Sequence, residues 1–296
     1  MPPIIETHAL TKCYGKARGI EAVDLRVESG EVFGFIGPNG AGKSTTIRAL
    51  LGLIAITSGS ASVLGLPVQP GQVAHLKDIG YMPGESHFEP WMKAGDVIAY
   101  SASLRGRDCA RRAAELIRRF EVDTHKKVAA LSLGNRKKLS LICALQHEPR
   151  LLLLDEPTSG LDPLMQAVFW EELGRAHQAG ATVFLSSHVL SEVQRHCHRA
   201  AIIREGRIVS LGSVDALAGA AGQRVTLIGP SQSPQLPGVQ QAQPIEGGVS
   251  FLYQGEAGPL LQALAALPID KVHIADLDLD EVFMHFYQGG DGHAGA

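Results

Sequence analysis

Apolar and polar residues alternate through EAVDLRVESG (21–30) and then give way to an unbroken apolar run, EVFGFIG (31–37). Alternation marks a strand with one wet face, and a continuous run marks a strand covered on both faces, so an antiparallel edge is expected to lead into a central strand. The chain then turns helical. From about Glu85 to His147, the segments VIAYSASLRG, CARRAAELIRRF and NRKKLSLICALQ place apolar residues at helical spacing, which predicts a helical insertion over 85–147. LLLLDEP (151–157) and ATVFLSSH (181–188) return as short apolar runs, the pattern of a parallel sheet packed on both sides. Beyond about Gly212 the composition shifts to glycine, proline and glutamine, in AGAAGQ and GPSQSPQLPGVQQAQP. A second module is expected over 213–288: RVTLI, VSFLY and VHIADL read as strands, GPLLQALAAL and DEVFMHFY as helices, and GGDGHAGA (289–296) as a disordered tail.

Where the central apolar strand ends, GPNGAGKST (37–45) matches the phosphate-binding pattern G-x-x-x-x-G-K-[ST]. Gly37, Gly40 and Gly42 permit the curl that turns consecutive N–H groups inward, with Pro38, Asn39, Ala41 and Thr45 completing the cradle. Lys43 supplies a point charge for the outer phosphates, Ser44 a hydroxyl for Mg²⁺, and the following helix its electropositive end. An ordinary glycine-rich turn would leave the Lys-Ser pair without a reason. The core is therefore a P-loop α/β sheet. Asp155, at the end of the LLLL strand, stands where a carboxylate completes the metal's shell, and Glu156 follows it as a candidate base for the attacking water.

Composition narrows the field. A chain of 296 residues, 45% hydrophobic with a net charge of −3, is long enough for a large core and a second domain, and carries no global attraction to nucleic acid. Cys13, Cys109, Cys143 and Cys197 are far apart, so reduced thiols are expected rather than a zinc site or disulfides, and RHCHR (195–199) lacks a second ligand pair. No apolar run approaches the roughly 20 residues of a membrane span. The arginine-rich stretch 104–120 reads as a solvated helix face, with anionic lipid or a permease as the alternative.

With the phosphate loop, LSLGNRKKL (131–139) and DEPTSGLDP (155–163) resemble the ATP-binding subunits of ABC transporters, over residues 4–212. The resemblance implies a RecA-like P-loop NTPase core at 1–212, with an antiparallel β subdomain and helical insertion, plus the small C-terminal α+β domain. It implies ATP and Mg²⁺ as cofactors, and a homodimer or heterodimer in which each nucleotide lies between one subunit's phosphate loop and the other's signature. Here that signature is LSLGN: Ser132 and Gly134 match, while Leu133 and Asn135 depart from the family's glycine and glutamine. Arg136, Lys137 and Lys138 place three cations in the first turn of the following helix, which either an anion ahead of it or a solvated basic face would explain.

By the same resemblance, Tyr14 would stack on adenine, Ser159 to Asp162 would meet the opposite subunit, and His188 would contact the γ-phosphate. Asp162 before Pro163 is also an N-cap and N1 pair. The family's glutamine after the strand that precedes the insertion is missing from IGYMPGES; Gly84 stands there, and the neighbouring Glu85 is the candidate to reach the metal. The implied protein is a hydrolase that powers a separate integral membrane permease at the inner face of the cell membrane. GYMPGE and LSLGN look most like exporters of the multidrug or antibiotic type, with no nucleic acid partner. A soluble ABC ATPase acting on ribosomes or DNA is the competing reading, and a P-loop kinase a third.

Overall fold

The computed structural model describes residues 3–15, 17–219, 222–230 and 232–276. The chain forms two compact units, Met1–Leu211 and Gly212–Ala296. The first holds two sheets. β1 (Ile5–Tyr14) and β2 (Ala17–Val27) pair antiparallel, and β4 (Ser58–Val63) and β5 (Leu66–Pro67) extend them in the order β2-β1-β4-β5. This is the antiparallel element that the alternation of 21–30 predicts.

The second sheet is the doubly covered core. Its order is β10-β9-β3-β8-β7-β6, built from β3 (Val32–Ile36), β6 (Ile79–Met82), β7 (Leu151–Asp155), β8 (Thr182–Ser187), β9 (Arg199–Arg204) and β10 (Arg207–Ser213). β3 runs parallel to β8 and β9, and β7 parallel to β6 and β8. Every residue of β3, β7 and β8 is buried, which is why their sequences show no alternation. Phe184 on β8 stacks on Phe33 at 5.6 Å between centroids and lies 5.3 Å from Phe35, all three fully buried.

Helices connect these strands. α1 (Lys43–Leu50) follows β3; α2 (Ala94–Ser103), α3 (Ala110–Phe120) and α4 (Leu133–Leu145) fill the insertion between β6 and β7; α5 (Pro163–Gln178) joins β7 to β8 and α6 (Leu190–His196) joins β8 to β9. The insertion is tied to the core by charge. Glu172 of α5 is fully buried and pairs with Arg112 and Arg119 of α3 and with Arg175 on its own helix, so part of the arginine-rich face predicted to meet solvent instead meets this carboxylate. Glu172→Gln removes the charge and keeps the shape. It is expected to lower unfolding stability by about 1.5–3 kcal/mol, read as a shift of the urea midpoint, because hydrogen bonds to a charged group weaken.

The second unit opens with α7 (Val214–Gly219) and holds a four-stranded antiparallel sheet. Its order is β12-β13-β11-β14, from β11 (Gln223–Ile228), β12 (Val239–Ile245), β13 (Gly248–Tyr253) and β14 (Lys271–Asp276). α8 (Ala257–Ala265) sets Leu260 and Leu264 against Val225, Leu227, Val249 and Phe251. β12 is not among the expected strands: glutamine-rich VQQAQPI, in the stretch marked only by its composition, is a strand exposed along most of its length. The expected helix DEVFMHFY and the tail lie outside the described residues. Among the described residues, no helix is long and apolar enough to cross a membrane.

Candidate functional site

The strand ends of the parallel sheet define the site. β3 runs into the phosphate loop, and Gly42, at φ 112°, turns the chain into α1; a Cβ there would stand 2.7 Å from Ile20, and one at Gly37 would stand 2.5 Å from the Ile203 carbonyl. Packing calls for glycine at both positions, and at Gly42 the left-handed backbone angle does so as well. Together the loop and the ends of β7 and β8 enclose a cavity of about 480 Å³.

Pro38, Asn39, Gly40, Gly42, Lys43, Ser44 and Thr45 line this cavity from one side, and Asp155, Glu156 and His188 from another. Gly37 and the buried Ala41 lie behind the loop, outside the lining. Lys43 is buried; its Nζ donates to the carbonyls of Gly37 (2.6 Å) and Pro38 (3.1 Å) and lies 3.0 Å from Glu156 Oε1. The other carboxylate oxygen of Glu156 meets His188 Nδ1, so one acid joins the loop lysine to the histidine after β8. Asp155 is buried, and its Oδ1 accepts a 2.6 Å bond from Ser186 Oγ. Glu156 has φ 51°, in the left-handed region that costs a non-glycine residue about 1–3 kcal/mol. Its N–H donates to the Ser186 carbonyl (3.2 Å) and meets Ser186 Oγ at 3.0 Å.

Other expected residues lie elsewhere. Ser132 N-caps α4, accepting from Asn135 N at 3.3 Å, and with Gly134 sits away from the cavity lining. Asp162 N-caps α5, accepting from Met165 N at 3.0 Å, while Ser159 reaches the lining. Tyr14 ends β1, partly exposed, with Lys12 Nζ 5.1 Å from its ring centroid; it lies outside the lining. Glu85 requires a correction. Its side chain is 88% exposed and faces His87 at 3.7 Å, so the carboxylate turns outward after β6 instead of toward Asp155. Gly84 is the lining residue, and a Cβ on it would stand 3.4 Å from Asp155 Oδ2.

Sequence reasoning missed two lining residues, Gly19 and Lys137. Lys137 had a signal, a cation at the start of a helix, but its direction differs from the one expected. It turns back into its own subunit's cavity, while Arg136 Nε donates to the Leu131 carbonyl at 3.2 Å. Burial pushes the Lys137 ammonium below the usual lysine range, and the neighbouring Glu156 and Asp155 carboxylates oppose that shift.

Comparison with known proteins bears on this geometry. The ABC transporter family profile matches residues 20–159, and a profile described as AAA domain, putative AbiEii toxin, Type IV TA system matches 127–193. The uncharacterized ABC transporter ATP-binding protein YhaQ of Bacillus subtilis is 32% identical over 286 residues, 93% of this chain and 94% of that protein. The chain is an ATP-binding subunit of the ABC transporter family. The bacitracin transport ATP-binding protein BcrA of Bacillus licheniformis is 36% identical over 217 residues, 71% of this chain and 69% of that one. A solved ATP-binding subunit of an ABC transporter superposes with TM-score 0.69 at 30% identity, covering 72% of this chain and 91% of that chain. This ABC subunit is thus a nucleotide-binding ATPase with the P-loop core its sequence implied, and neither the ribosome or DNA reading nor the kinase reading is favoured.

Proposed function

We propose that this subunit binds ATP with Mg²⁺ and hydrolyses it to drive a separate membrane permease that exports a drug, antibiotic or other hydrophobic compound. The supporting observation is the convergence of Lys43, Asp155, Glu156 and His188 on one cavity beneath the phosphate loop. The loop N–H groups and Lys43 hold the phosphates, and Glu156 takes a proton from the attacking water. His188 donates to the γ-phosphate. With Nδ1 on Glu156, that contact falls to Nε2.

Ser44 and Asp155 offer oxygen donors on the same cavity, the chemistry a hard cation such as Mg²⁺ selects. When bound, the ion neutralises charge developing on phosphate oxygens. Asp155 keeps one oxygen on Ser186, which orients the carboxylate for that duty. Tyr14 is assigned to adenine. Ser132 and Gly134, turned away from their own cavity at the N-terminus of α4, serve a nucleotide on a second subunit, identical or different, and Asp162 lies on the loop that meets it. In this reading residues 1–212 are the ATPase domain and 213–288 an accessory domain. The subunit rests on the inner face of the membrane through the permease.

Tagged subunit extracted from membranes in detergent is expected to retain a multi-span membrane protein, and reconstitution with that protein is expected to raise ATP turnover. Sedimentation with ribosomes or DNA, and none with membranes, would overturn the reading.

A further inference from the structure

Lys137 is a charged residue that the proposed reaction leaves unused. It is 4% exposed, lines the cavity, and its Nζ donates to the main-chain carbonyl of Glu156 at 2.8 Å. Its placement is costly, because burial removes an ammonium from water. A lysine kept there needs a compensating partner, and this one is aimed at a strained residue: Glu156 has φ 51°. The N–H of Glu156 is held by Ser186, so the lysine secures the other side of the same residue. A left-handed non-glycine backbone persists where its surroundings over-determine it, and these two anchors do so.

We propose that Lys137 is a positioning residue for Glu156: by holding the Glu156 carbonyl it fixes the backbone from which the carboxylate enters the cavity. This rests on the reading of Glu156 as the base. It also gives α4 two ends of one task. Ser132 caps the end assigned to the second subunit's nucleotide, and Lys137, five residues on, grips the base of its own subunit, so a shift of α4 is transmitted to Glu156.

The test uses the full chain under conditions where the unsubstituted protein turns over, comparing Lys137→Met, Lys137→Arg and Glu156→Gln by kcat, KM for MgATP and thermal unfolding. Lys137→Met keeps the length and removes the donor. It is expected to lower kcat about 10- to 100-fold with KM changed less than about twofold, the pattern of an interaction felt in the reaction rather than in binding. Lys137→Arg, which keeps a charged donor, is expected to restore kcat to within about fivefold. A wild-type kcat in Lys137→Met, a loss confined to KM, or a folded Lys137→Arg as slow as Lys137→Met would each overturn the proposal. If Lys137→Met does not fold, Lys137→Leu, which also lacks the donor, is judged by the same kcat and KM criteria. Retained turnover in Glu156→Gln would overturn the base assignment itself; an inactive Glu156→Gln beside a fully active Lys137→Met would overturn the positioning role alone.

Discussion

Glu156→Gln is expected to lower ATP turnover by about 10²- to 10⁴-fold, the range over which a positioned general base contributes. The amide keeps the size of the carboxylate and loses its capacity to take a proton. Nucleotide affinity is expected to survive, because the phosphate loop and the carbonyls that hold Lys43 are untouched. Removing the charge also frees Lys43 from its 3.0 Å pair with Glu156, which leaves the ammonium more available to phosphate. Phosphate release and titration with a fluorescent nucleotide check the two halves separately. A residual rate within about tenfold of the unsubstituted chain would remove Glu156 from the role of base.

Phe184→Ala is expected to destabilise the first unit by about 3–5 kcal/mol, the cost of emptying an aromatic-sized space in a close-packed core. Phe184 lies on β8, between β3 and β7, and touches the rings of Phe33 and Phe35 with no water access. Relaxation is restricted because both neighbouring strands are fully buried in register with it. At roughly 2–4 °C per kcal/mol for a domain of this size, the melting transition should fall by about 6–20 °C. A fall of less than about 3 °C would mean that the neighbours collapse into the space. Phe184→Leu keeps most of the volume and is expected to cost less.

These two residues sit in the part of the molecule that is easiest to read from residues alone. Gly37 to Thr45 are contiguous, so their gathering at one loop is a local matter of glycine angles and helix start. Asp155 and Glu156 end a run of leucines whose burial allows little but a central parallel strand. Legibility fails where direction is decided by packing between distant segments. Glu85 and Gly84 are neighbours, and which of them faces Asp155 depends on the turn after β6. Lys137 shares a helical turn with Arg136 and Lys138, and only the seating of α4 beside the end of β7 turns it inward. Glu172 belongs to the same class, since its three arginines come from two helices far apart in sequence.

β12 was hidden by a different cause: its glutamines and Pro244 carry no strand signal, and those residues suit its position at the margin of the second sheet. Among the described residues no strand pairs with its outer side. Its pairing with β13 slips between Gln240 and Gln243, with Gln241 at φ 49°, and Pro244 offers no N–H. A ribbon so kinked and short of donors is a poor template for a stranger's backbone. The proline that helps to conceal the strand, with the slip beside it, thus also makes this margin a poor seed for fibrous self-association.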